Sequence, residues 1–136
     1  MGRARAGRPR ISEAAFQAQV MAFARRTGWL VHHSRPAQNR SGRFSTPLSG
    51  NAGLPDLVMA RHGSVAFVEL KGDGGSIGPA QVEWARGLLG QPYGWVPDRG
   101  RAYVFAFPGG GVSFGYMLAY PDDFDALVAF LGEPVG

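Results

Sequence analysis

The chain has no cysteine among its 136 residues. That excludes disulfide scaffolds, thiolate zinc sites, cysteine nucleophiles and iron–sulfur clusters. No run of 18 apolar residues occurs, so no membrane-spanning helix and no membrane partner are expected. Met1–Arg10 is charged but lacks the apolar stretch of a secretion signal. No period of 20–50 residues repeats. The expectation is a soluble, cytoplasmic (intracellular) protein. Lysine is nearly missing: Lys71 stands alone beside thirteen arginines. Acid is scarce in the first third, where residues 1–43 hold nine arginines against Glu13, a balance of +8, while residues 44–136 carry −4. Such a one-sided block of arginine points to an anionic polymer as partner, most simply nucleic acid. The plainer alternative is a solvated basic tail that aids solubility.

Hydrophobic residues make up 45% of the chain, enough for a core in one domain of this length. Residues 1–11 read as a flexible basic arm and 12–136 as a single domain. Within the arm, Gly7-Arg8-Pro9-Arg10 is similar to the Gly-Arg-Pro core of minor-groove AT-hook arms. Plain phosphate attraction is the simpler reading.

Residues 12–27 predict a helix. Ser12 is a good N-cap, and Ile11 with Phe16 can form a hydrophobic staple. Phe16, Val20, Phe23 and Thr27 share one face, and Gly28 is a natural stop. Trp29–His33 reads as a strand, and 34–54 as one long aperiodic loop, a length usually tied to function or disorder. Asp56–Ala60 and Val65–Lys71 read as strands around a turn at 61–64. A helix is expected over Pro79–Leu89, with Pro79 in its first turn and Gly90 as its stop. Tyr93–Val96 is expected as a further strand. Arg101–Phe107 and Val112–Leu118 should form a hairpin, and Pro121–Leu131 a last amphipathic helix. This order gives an α/β or α+β arrangement with a mixed β-sheet flanked by helices.

The informative stretch is Pro55-Asp56 followed by Glu69-Leu70-Lys71. Side chains alternate along a strand, so Glu69 and Lys71 share one face while Leu70 turns to the other. If Ala60 pairs with Val65, paired numbers sum to 125 and Asp56 lies opposite Glu69. Opposed carboxylates repel, and a hard divalent cation removes that conflict. Mg²⁺ is commonly held by one or two carboxylates plus substrate phosphate. A bound ion can activate water and stabilise charge on a phosphodiester, and an ammonium beside it can orient the attacking water. The competing reading is an ordinary hairpin with a cross-strand ion pair to Lys71. A lysine in a chain otherwise built on arginine argues for a chemical reason.

Asn51-Ala-Gly-Leu-Pro-Asp56, Phe67-Val-Glu-Leu-Lys71 and Gly78-Pro-Ala-Gln81, in that order, resemble the PD-(D/E)XK nuclease superfamily, and more closely its virus-type replication-repair nuclease (VRR-NUC) domain. The resemblance covers roughly residues 12–90. It implies a restriction-endonuclease-like core and a DNA endonuclease dependent on Mg²⁺ or Mn²⁺. Asp56 and Glu69 match the metal-ligating carboxylates, with the Leu70 carbonyl as a further ligand. Lys71 matches the catalytic lysine and Gln81 the active-site glutamine. Glu13 matches the acidic residue of the first helix that approaches the metal; the alternative is that it only complements the helix dipole. Stand-alone, phage-type members are homodimers acting on branched DNA such as Holliday junctions, a DNA-repair type of activity. The aromatic hairpin 101–118 is longer than the family pattern. It can complete the core or, with the last helix, form a dimer interface.

Three further points complete the reading. Arg8, Arg10, Arg35, Arg40 and Arg43 are the candidate DNA contacts. Of His32 and His33 only one can face the metal site, since neighbours on a strand point to opposite sides. The alternative function is a dimeric junction- or end-binding module that has lost turnover.

Overall fold

The computed structural model describes residues 9–33, 37–38, 44–45, 50–106 and 113–132. The fold is α/β: a mixed five-stranded sheet with helices on both faces. Helix α1 spans Glu13–Arg26. Ser12 caps it by accepting from the Ala15 N–H at 3.1 Å, with Glu13 in the first turn and Arg25 and Arg26 in the last. Phe16, Val20 and Ala24 form its buried stripe. Strand β1 (Leu30–His33) follows. The stretch expected as one loop holds a short antiparallel ribbon, β2 (Ala37–Gln38) with β3 (Phe44–Ser45). Strands of two residues are too short to show any period in sequence.

Strands β4 (Leu57–Arg61) and β5 (Ser64–Leu70) form the hairpin with the expected register, Leu57 facing Val68 and Ala60 facing Val65. The turn is tighter than expected. Arg61 pairs with Ser64, leaving His62 (φ 48°) and Gly63 (φ 79°) as a two-residue left-handed turn that matches the twist of its strands. Helix α2 is Pro79–Leu89, ending at Gly90 in the left-handed conformation. Residues 93–96 do not form the expected strand. Pro92 and Gly94 make a turn there, closed by the Trp95 N–H on the Pro92 carbonyl, and Tyr93 is left 95% exposed. Strands β6 (Ala102–Ala106) and β7 (Ser113–Ala119) pair antiparallel as expected, and their connection lies outside the described residues. The last helix begins as a 3₁₀ turn over Pro121–Asp123 and continues as α3, Phe124–Leu131.

The strand order is β1-β4-β5-β7-β6, with β5 and β7 parallel and every other pair antiparallel. Two cores result. Phe16, Val20, Leu57, Met59, Val68, Leu70, Met117, Leu127 and Leu131 fill the α1/α3 face. Ala85, Leu89, Tyr116, Leu118 and Tyr120 fill the α2 face, with Phe67 packed against them. β7 is therefore core, while the edge strand β6 leaves Val104 63% exposed. No helix among the described residues is long and apolar enough to cross a membrane.

Candidate active site

Strand alternation decides which face carries the charges. Val68 and Leu70 enter the α1/α3 core, so Phe67 and Glu69, which alternate with them, point toward α2. The register that pairs Leu57 with Val68 continues to Asp56 opposite Glu69. Asp56 is locked there by its own chemistry: its Oδ2 accepts the Leu70 N–H at 2.8 Å. β5 stays attached to β7 one residue further, where the Lys71 N–H donates to the Ala119 carbonyl at 3.1 Å. This holds Lys71 at the sheet end, its Nζ 3.6 Å from Glu69 Oε2.

Glu69 is 1% exposed, and no backbone or side-chain donor reaches its carboxylate oxygens; its side-chain neighbour is the Asp56 carboxyl, with which it can share a hydrogen bond only while one of the two acids is protonated. The Lys71 ammonium is its nearest compensation, just beyond hydrogen-bond reach. Burial first, and then the neighbouring Asp56, push the Glu69 carboxyl up to about 9, against the opposing pull of Lys71. Glu13 belongs to the same electrostatic group. Its carboxyl is raised by partial desolvation and by Asp56, and lowered by Lys71. Two glycines make this convergence possible. A Cβ on Gly72 would lie 2.5 Å from the Glu13 nitrogen, so only glycine lets the start of α1 touch the end of β5. A Cβ on Gly53 (φ 102°) would lie 2.4 Å from the Ala80 carbonyl oxygen, so the loop carrying Pro55-Asp56 packs directly on the first turn of α2.

The other candidate residues fall as follows. Gln81 sits at the third position of α2, and its Oε1 accepts the Gly78 N–H at 2.8 Å as part of the helix cap. That leaves its amide N–H₂ as the group it can offer a substrate. Leu70 buries its side chain and presents its N–H to Asp56. His32 is exposed, whereas His33, half-buried on the α1 side, contacts Gln17, one turn beyond Glu13. Arg10 donates to the Asp73 carbonyl at 2.7 Å, while the Asp73 carboxylate accepts the Ile11 N–H at 2.8 Å. The end of the basic arm is thereby tied to the loop that follows Lys71. Arg8, Arg35, Arg40 and Arg43 lie outside the described residues.

Tyr116 reads from sequence only as one of the hairpin aromatics, core or dimer interface with base stacking as the lesser alternative, and not as a neighbour of the acidic pair. Tyr116 is fully buried on the α2 face, in register with Phe67 and two positions along the strand from Glu69's partner Leu118. Alternation along 113–119 places it on one face, but its closeness to Glu69 depends on the parallel pairing of β5 with β7, which leaves no local signal. Among the described residues no three acidic or histidine side chains close a metal site made of protein alone. Two carboxyl groups facing each other remain compatible with an ion that keeps its waters and takes substrate oxygen. No family model matches the chain, and no curated protein or solved structure matches it either.

Proposed function

We propose that the chain is a phosphodiester hydrolase with a restriction-endonuclease-like core: a divalent-metal-dependent DNA endonuclease, with branched DNA such as Holliday junctions as its substrate class. The observation that carries this reading is Glu69. It is a buried carboxylate that no ordinary donor reaches, set across the hairpin against the Asp56 carboxyl and 3.6 Å from a lone lysine. Buried polar groups are rarely left without partners, and those that are need a reason. A divalent cation supplies one, because it satisfies these oxygens and cancels the repulsion between the two acids.

Asp56 and Glu69 would hold Mg²⁺ or Mn²⁺, with the Leu70 carbonyl as a further ligand and Glu13 acting through water. Such an ion supplies Lewis acidity toward the scissile phosphate and lowers the pKa of bound water. The chain's own residues do the rest. Asp56 keeps its position through the Leu70 N–H. Lys71 offers a cation, only 11% exposed, that orients the attacking water or neutralises charge on the phosphorane. The Gln81 amide can donate to a phosphate oxygen from the start of α2. The basic first third supplies sequence-independent affinity for DNA. A homodimer fits the two-fold symmetry of a junction, and the exposed Val104 and Phe105 on the edge strand β6 offer apolar surface for it.

The test is incubation of the protein with labelled four-way junction, flap and duplex DNA in Mg²⁺, Mn²⁺ or EDTA. Cleavage of branched DNA with either ion, lost in EDTA and lost in Lys71→Met, is the expected result. Junction binding with no cleavage under either ion would make the chain a binding module instead.

A further inference from the structure

Among the described residues, three buried side-chain polar atoms have no hydrogen-bond partner: the two oxygens of Glu69 and the hydroxyl of Tyr116. They come from adjacent parallel strands. Phe67 pairs with Tyr116 and Glu69 with Leu118, and paired residues share a face, so Glu69 and Tyr116 stand diagonally on the same face beneath α2. Diagonal neighbours across strands are within reach of a long aromatic side chain. Unsatisfied groups are few in any native core; here, among the described residues, an acceptor and a donor are the whole set and stand on adjacent strands.

We infer that Tyr116 is a positioning residue for Glu69, its phenol O–H donating through one bridging water to the Glu69 carboxylate. This rests on the reading of Glu69 as a metal ligand. A water can bridge two buried polar groups that lie beyond direct hydrogen-bond distance. Burial first, and Glu69 second, raise the phenol above its ordinary range. The consequence is orientation. Lys71 pulls the carboxylate from the open end of the sheet, and Tyr116 restrains it from the core side. The side chain then presents a defined oxygen toward Asp56 rather than turning freely. Partners that orient metal ligands in this way typically contribute about 10–100-fold to metal affinity.

The experiment is calorimetric titration of MnCl₂ into DNA-free wild type, Tyr116→Phe and Leu118→Val, with melting temperatures recorded in EDTA. The phenylalanine keeps the ring in the α2 core and removes only the hydroxyl. The valine disturbs packing at Glu69's register partner and touches no polar atom. The expected result is Mn²⁺ affinity about 10-fold or more weaker in Tyr116→Phe, at an unchanged or higher ion-free melting temperature. Leu118→Val should melt earlier yet bind Mn²⁺ as wild type does. Wild-type affinity in Tyr116→Phe overturns the inference, and so does an equal loss in Leu118→Val, which would trace the effect to packing. A wild-type protein that binds no Mn²⁺ would instead overturn the metal-site reading beneath it.

Discussion

Asp56 Oδ2 accepts the backbone N–H of Leu70 at 2.8 Å, so the residue between Glu69 and Lys71 fixes the carboxylate opposite them. This one bond joins both halves of the candidate site. It closes the hairpin beyond its last strand pair and occupies one oxygen of Asp56.

Asp56→Ala and Asp56→Asn should separate the structural from the chemical role. The alanine strands a part-buried N–H, and losing a hydrogen bond to a charged acceptor costs about 1.5–3 kcal/mol. The asparagine keeps an acceptor and should lose less than about 1 kcal/mol. Both should lack nuclease activity. Urea melts beside a junction-cleavage assay check this; an alanine variant as stable as wild type would show that the bond does not hold the hairpin end.

Glu69 makes the ion-free protein pH-sensitive. The unfolded chain releases this proton near the ordinary value of 4.5, whereas the folded protein keeps it to about 9. Between those values the folded state binds the extra proton, so stability falls as pH rises through the window. Melting temperature in EDTA should decline from pH 6 toward pH 9, and Mg²⁺ should reduce the decline. Glu69→Gln should flatten the profile, melt at or above wild type at pH 8.5, and be inactive. An unchanged slope in Glu69→Gln would assign the pH dependence to another group.

Gly72→Ala tests the close approach of α1 to β5. The added methyl would meet the Glu13 nitrogen at 2.5 Å. Because that neighbour is backbone, relief requires moving the helix start. Overpacking of this kind costs about 1–3 kcal/mol, and cleavage should fall with the displacement of Glu13. Chemical denaturation and single-turnover cleavage measure the two effects. Full activity would remove Glu13 from the chemistry.

The basic arm has to be trimmed with its anchor in mind. Arg10 and Ile11 are tied to Asp73, so deletion should stop at residue 8. Removing Arg3, Arg5 and Arg8 should reduce the slope of log K against log salt by about 0.9 for each phosphate that these arginines neutralise. The cleavage rate at saturating DNA should not change. Fluorescence anisotropy over a salt series measures the slope, and an unaltered slope would show that these arginines do not bind phosphate.

Much of this protein was legible in its sequence because the information was local. Ser12 and Gly90 mark helix ends through caps that neighbouring residues complete. Alternation along 64–70 sorts Glu69 from Leu70, and a short hairpin admits few registers, so Asp56 could be set against Glu69 by counting. The ribbon of 37–38 with 44–45 and the turn at 93–96 were not legible: two-residue strands carry no period, and an aromatic run bounded by prolines reads as a strand until the turn at Pro92 and Gly94 is seen. Other features exist only in three dimensions. The parallel pairing of β5 with β7 joins segments more than forty residues apart, and it alone sets Tyr116 beside Glu69. The approach of Glu13 to the sheet end depends on Gly72, which is remote from it along the chain. The raised proton affinity of Glu69 comes from burial, which a sequence position does not specify. Residue types, faces and spacings follow from the chain's own periodicity; desolvation and long-range pairing follow only from how the two cores pack around the sheet.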